Sequence, residues 1–95
     1  MKATKLTDNE IAAALADLPR WEQTGNKLQR TYKFKNFVAA LGWMVQAGME
    51  AEKMDHHPNW SNVWNTVEVT LWTHEKDAIT NLDIQLATKM EELAG

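Results

Sequence analysis

The sequence predicts an α+β domain with helices gathered on one face of an antiparallel sheet. Three observations carry that prediction. Residues 28–34 and 67–71 alternate apolar and polar side chains with the period of a half-buried strand. Three other segments space their apolar residues by three and four, as helices do, and two of these open on a capping-box pattern. The order along the chain is helix, two strands, helix, strands, helix.

The first helix is expected over about residues 8–17. Thr7-Asp8-Asn9-Glu10 lets Thr7 and Glu10 satisfy each other's free amides, Leu6 and Ile11 are placed as a hydrophobic staple, and Pro19 stops the run. Gly25-Asn26 then reads as a two-residue hairpin turn between residues 21–24 and 27–35. In the second arm Leu28, Arg30, Tyr32 and Phe34 share one face. Asn36 is positioned to cap a long helix, in which Phe37, Leu41, Met44, Val45 and Gly48 recur at helical spacing. Gly42 and Gly48 inside it each cost about 1 kcal/mol relative to alanine, which predicts close contact with a neighbouring element. Pro58 disfavours helical geometry at His57, so this helix should end near His56. A short segment around Val63 precedes a strand through Val67, Val69 and Leu71 that ends near Thr73. Thr80 and Asp83 form the second capping box, and Ile79, Leu82, Leu86, Met90 and Leu93 line one face of the closing helix.

Bulk composition narrows the function. The 95 residues suit one domain, 1–95, and a hydrophobic content of 44% supports a packed core. A domain this small buries a modest core, so subunit association is a natural supplement. Thirteen acidic residues against ten basic ones, with no basic run, disfavour direct nucleic-acid binding. The absence of cysteine excludes disulfides, thiolate metal sites and cysteine nucleophiles. No stretch resembles a signal peptide or a membrane span. A soluble cytoplasmic protein is expected.

The chemistry gathers around three histidines, His56, His57 and His74, with Glu52, Asp55, Pro58, Trp60 and Asp83 nearby. Imidazole is the side chain that ordinarily changes charge between about pH 5 and 8, so two imidazoles facing one pocket suit general acid–base work. Glu52 and His56 lie four apart and share a helix face. Each residue also has a structural account. Asp83 is explained by its cap alone, Glu52 by a solvated helix face, and His57 by the helix end before proline. The tryptophans are mostly core or subunit contact, Trp60 being the expected exception because it follows the histidine pair. A metal held by Glu52, His56 and a third imidazole is the sharper rival, but the HExxH pattern of zinc proteases is absent, and no metal is expected.

Read continuously, Glu52-Lys53-Met54-Asp55-His56-His57-Pro58-Asn59-Trp60, followed by Trp64, His74 and Asp83, resembles the signature of the pterin-4a-carbinolamine dehydratase family. Five residues separate Pro58 from Trp64, nine separate Trp64 from His74, and eight separate His74 from Asp83, all at the family's spacing. The likeness extends through the Trp21 segment, residues 37–42 and residues 83–87. It implies a four-stranded antiparallel sheet with helices on one side, assembled as a homodimer or homotetramer. It also implies a reaction that needs no cofactor, the removal of water from a 4a-hydroxytetrahydropterin. The metabolic partner would be an aromatic amino-acid hydroxylase.

On this resemblance His56 and His74 form the acid–base pair, His57 contacts substrate, Glu52 orients His56 and Asp83 holds His74. Asp55, Trp72, Thr73 and His74 contact the pterin, and Pro58 and Trp60 wall its ring. Two departures stand out. Trp72 occupies a slot where animal members carry a small serine, which bears on pocket width and side-chain specificity, and residues 75–78 lack a glycine often present there. The competing function comes from another class: proteins of this fold also act as interaction partners, as a transcription coactivator or in assembly of a carbon-fixing enzyme. That role would use an outer helix face and leave the histidines dispensable.

Overall fold

The computed structural model describes residues 2–95. Helix α1 (Asp8–Leu15) leads into strands β1 (Glu22–Thr24) and β2 (Lys27–Lys33), helix α2 (Phe37–Met54), strands β3 (Asn59–Val63) and β4 (Thr66–Leu71), and helix α3 (Asn81–Ala94). A short 3₁₀ turn, His74–Lys76, follows β4. The four strands are antiparallel in the order β1-β2-β4-β3, so β4 returns from the edge strand β3 to fill the space beside β2. This is the α+β architecture that the alternation and helical spacing predict.

Both capping boxes form. Thr7 and Glu10 exchange bonds at the start of α1, and Thr80 and Asp83 do so at the start of α3. The Asn36 side chain accepts from the Ala39 amide and caps α2. Helix α1 closes two residues earlier than the pattern suggests, and the chain continues through turn bonds from Asp17 and Leu18 to Pro19.

One face of the sheet carries the core. Leu28 and Tyr32 of β2 and Val67, Val69 and Leu71 of β4 are buried against α2 and α3. Helix α2 contributes Ala40, Trp43, Ala47, Ala51 and Met54, while Phe37, Leu41 and Val45 remain exposed. The helical period was legible; the buried face is the alanine face, because small side chains let α2 lie close against its neighbours. Gly48 follows the expectation of close contact, since a Cβ there would meet the Trp60 ring at 3.9 Å. Gly42 does not, having open space around it.

A polar hub ties the sheet to the end of α3. Glu91 Oε1 accepts from Trp21 Nε1 (2.9 Å), Tyr32 Oη (2.6 Å) and the Arg30 guanidinium. Arg30 therefore shares the core-facing side of β2 without being left unpaired. Burial pushes the Tyr32 phenol up to about 12, partly offset by Arg30 beside it. Trp43 donates to the Met90 carbonyl (3.1 Å) and completes an aromatic layer with Tyr32, Phe34 and Trp60.

Candidate active site

The end of α2 builds the site. Asp55 adopts left-handed backbone (φ 51°), its amide bonds the Glu52 carbonyl (3.1 Å), and the His56 amide reaches back to Ala51 (3.1 Å). These are the two bonds of a Schellman turn, a place usually taken by glycine and tolerated by aspartate. The turn ends the helix before His56, so the two histidines part. His56 is carried inward and is 8% exposed, while His57 stays in solvent. Pro58 has no amide with which to resume the helix, and β3 begins at Asn59.

Behind His56 lies Asp83, 0% exposed. His56 Nε2–H donates to Asp83 Oδ1 at 2.6 Å. The other carboxylate oxygen accepts from the Thr80 amide (2.8 Å) and the Thr73 hydroxyl (3.1 Å), and the two threonine hydroxyls meet at 2.6 Å. An ionised carboxylate only accepts, so the imidazole proton in this bond sits on Nε2. Nδ1 is left as the basic nitrogen. No buried side-chain nitrogen or oxygen among the described residues lacks a partner, so the unbonded Nδ1 reaches the surface.

His74 arrives from the opposite side, on the 3₁₀ turn that follows β4. Its ring stacks on Trp72 (centroids 4.2 Å apart, planes at 26°), and its Nε2–H donates to Asn59 Oδ1 (3.0 Å). His57 Nε2–H donates to Glu52 Oε1 (2.8 Å), an exposed pair.

A cleft of about 290 Å³ opens between these two arms. Asp55, His56 and His57 line it from the end of α2, and Trp72, Thr73, His74 and Glu75 from the exit of β4. All three histidines therefore share one hollow. Larger hollows of about 340 Å³ lie over the sheet near Gln29 and between α2 and α3, but neither contains a histidine, and volume without reactive groups does not make an active site.

Four of the sequence-selected residues lie off the cleft wall. Pro58 and Trp60 do not line it; Trp60 turns its ring towards Trp43 and Gly48. Glu52 and Asp83 stand behind the histidines, with partners that differ from expectation. Glu52 bonds His57, and Asp83 bonds His56 instead of His74. The reason is the left-handed turn at Asp55. It breaks the helical i, i+4 relation that would have joined Glu52 to His56 and swings His56 towards the start of α3. Asp83 still caps α3, so its capping and histidine-holding roles coexist. Thr80 was legible only as a cap and Asn59 only as part of the signature run; their bonds to Thr73 and His74 are long-range or buried, and nothing in local spacing marks them. Among the described residues no three His, Asp or Glu side chains converge as metal ligands.

Residues 4–93 match the model of the family described as Pterin 4 alpha carbinolamine dehydratase. The chain belongs to that family. Similar proteins include those of Brucella ovis and Brucella abortus, each named "Putative pterin-4-alpha-carbinolamine dehydratase", 44% identical over 97 residues and aligned over the whole of both chains. A crystal structure from Brucella melitensis, described as a transcriptional coactivator/pterin dehydratase, superposes with a TM-score of 0.93 at 45% identity, covering 97% of this chain and 100% of that one. The pterin dehydratase fold thus accounts for the sheet order and the helices on one face. No helix among the described residues is long and apolar enough to cross a membrane.

Proposed function

We propose that this protein is a cytoplasmic hydro-lyase that removes water from a 4a-hydroxytetrahydropterin, giving quinonoid dihydropterin and supporting tetrahydropterin recycling beside an aromatic amino-acid hydroxylase. The observation that carries the proposal is the convergence of His56, His57 and His74 on one cleft, with His56 held by a buried carboxylate.

The chemistry needs two proton movements. The C4a–O bond breaks with its electron pair on oxygen, which takes up a proton and leaves as water. The N5 lone pair closes the N5=C4a double bond, and N5 gives up its proton. No net oxidation occurs, and acid–base groups suffice. His56 and His74 are the pair assigned to these steps, each of a kind worth about 10²–10⁴-fold. Asp83 fixes the ring of His56 and the nitrogen it presents, as an orienting group behind a catalytic base does. His57, presented with Glu52 at the solvent edge, contacts the pterin. Asp55, Trp72 and the Thr73–His74 backbone offer hydrogen-bonding and stacking groups for its polar ring.

Assembly belongs to the same proposal. Val38, Leu41, Val45 and Met49 form an exposed apolar stripe along α2, and Val63 and Trp64 add exposed apolar surface at the β3–β4 turn. A second copy of the chain covering these residues gives a homodimer or homotetramer. The stripe also suits the non-catalytic reading, in which α2 docks on another protein.

A coupled assay tests the function. A hydroxylase generates the 4a-hydroxypterin, and absorbance follows its dehydration with and without this protein. Acceleration supports the enzyme. No acceleration by protein whose circular dichroism confirms folding overturns it and favours the interaction role.

A further inference from the structure

Three strands end in one row beside His74. The register that pairs Leu28 with Leu71 continues to Lys27 opposite Trp72, one residue past the end of β4. Both lie on the sheet face away from the core, because Leu28 and Leu71 point inward. The register of β3 sets Asn59 opposite Thr70, which puts Asn59 on that same outer face, two residues along from Trp72. The contacts follow the register. Lys27 Nζ lies 4.4 Å from the centroid of the Trp72 ring, the Trp72 ring stacks on His74 at 4.2 Å, and Asn59 Oδ1 accepts from His74 Nε2–H at 3.0 Å.

This row does for His74 what Asp83 does for His56, by different means. His74 is exposed and has no carboxylate partner among the described residues. An exposed imidazole on a three-residue 3₁₀ turn is otherwise free to rotate about two bonds. Stacking removes one degree of freedom by fixing the ring plane. The Asn59 carboxamide removes the other by fixing which nitrogen points where, and with its Oδ1 turned to the ring it pairs with the Nε2–H tautomer, because that oxygen only accepts. The indole needs an anchor of its own, since Trp72 is only half-buried. The Lys27 ammonium over its face provides one.

We propose that Lys27, acting through Trp72, and Asn59, acting directly, are positioning residues for His74, locking it with Nδ1 as the nitrogen that exchanges protons with the ligand. The same free nitrogen is then presented by both His56 and His74, one held by a buried carboxylate and the other by a surface ladder of ammonium, indole and carboxamide. The kinetic part of this proposal rests on the dehydratase reading; the geometric part does not.

The experiment uses the full chain and the variants Lys27→Met, Lys27→Arg and Asn59→Leu, with two independent readouts. Long-range ¹⁵N–¹H NMR spectra assign the tautomer of each imidazole, and the carbon-bound ring protons of His74 report stacking through the indole ring current. Wild type is expected to show His74 as the Nε2–H tautomer with upfield-shifted ring protons. In Lys27→Met the upfield shift shrinks and kcat falls about two- to fivefold, the factor matching loss of an exposed cation–π contact, while KM stays within about twofold. Lys27→Arg restores both. Asn59→Leu mixes the two His74 tautomers. An Nδ1–H tautomer in wild type, or a ring-current shift and kcat both unchanged in Lys27→Met, overturns the ladder. Wild-type protein inactive towards the hydroxypterin refutes the dehydratase reading instead, and the NMR readouts then decide the ladder alone.

Discussion

Replacing Asp83 by asparagine keeps the shape of a fully buried side chain and removes its charge. The carboxylate accepts three bonds, from His56 Nε2, the Thr80 amide and the Thr73 hydroxyl. Asparagine retains one oxygen, which suffices for the Thr80 and Thr73 donors on the Oδ2 side. Its amide nitrogen then faces His56 Nε2, and two donors cannot share that 2.6 Å contact. The imidazole must move its proton to Nδ1 so that Nε2 accepts. Stability falls by the difference between a charge-assisted and a neutral hydrogen bond, about 1–2 kcal/mol. For a chain of this size that lowers the melting temperature by about 4–16 °C. The rate suffers more, because the nitrogen that should be basic at the cleft now carries the proton; a loss of about 10²–10⁴ in kcat is expected, the usual worth of an acid–base group. Urea denaturation at fixed protein concentration gives the first quantity, stopped-flow dehydration the second, and ¹⁵N spectra of His56 the tautomer itself. A folded Asp83→Asn protein with His56 still protonated on Nε2, or with kcat within about threefold of wild type, refutes the reasoning.

Other perturbations test neighbouring parts of the account. Glu52→Gln removes only the charge from an exposed pair with His57, so the unfolding free energy from urea denaturation should move by less than about 0.5 kcal/mol; a larger loss would show that Glu52 supports more than its visible partner. Tyr32 has its phenol raised by burial from the ordinary 10 to about 12, so the folded state holds that proton more tightly than the unfolded chain. Its contribution is complete below about pH 10 and is lost as pH rises towards 12, and Tyr32→Phe should flatten that part of the stability profile in alkaline denaturation. Val45→Asp places a charge in the exposed stripe of α2, and sedimentation should show smaller particles with unchanged circular dichroism. An unchanged mass would remove α2 from the assembly surface.

The sequence disclosed elements whose cause is local and hid those whose cause is distant. Both capping boxes, the Asn36 cap, the Gly25-Asn26 hairpin and the alternation in β2 and β4 are short-range patterns, and all are realised. Strand β3 was visible only as a short segment around Val63, because an edge strand carrying Asn59, Ser61 and Asn62 has little apolar alternation to reveal it. The buried face of α2 was obscured by its alanines, which pack closely yet rank low in any search for large apolar residues. At the site, sequence spacing selected all three histidines, and they do meet in one cleft. Their partners differ from the expected ones because a single left-handed residue, Asp55, rotates the chain that follows. A similar substitution explains the missing glycine before α3: Asp77 takes the left-handed position (φ 47°), and its carboxylate and carbonyl accept from Asn26.

The central claim is that the cleft between the end of α2 and the exit of β4 is where water is lost from the pterin. It is tested most directly by a single-turnover comparison of wild type with the His56→Ala, His74→Ala double variant, following dehydration of preformed 4a-hydroxytetrahydropterin. Acceleration by wild type and a return to the uncatalysed rate in the double variant are expected, with both proteins folded. Acceleration that survives loss of both imidazoles would place the chemistry elsewhere and contradict it.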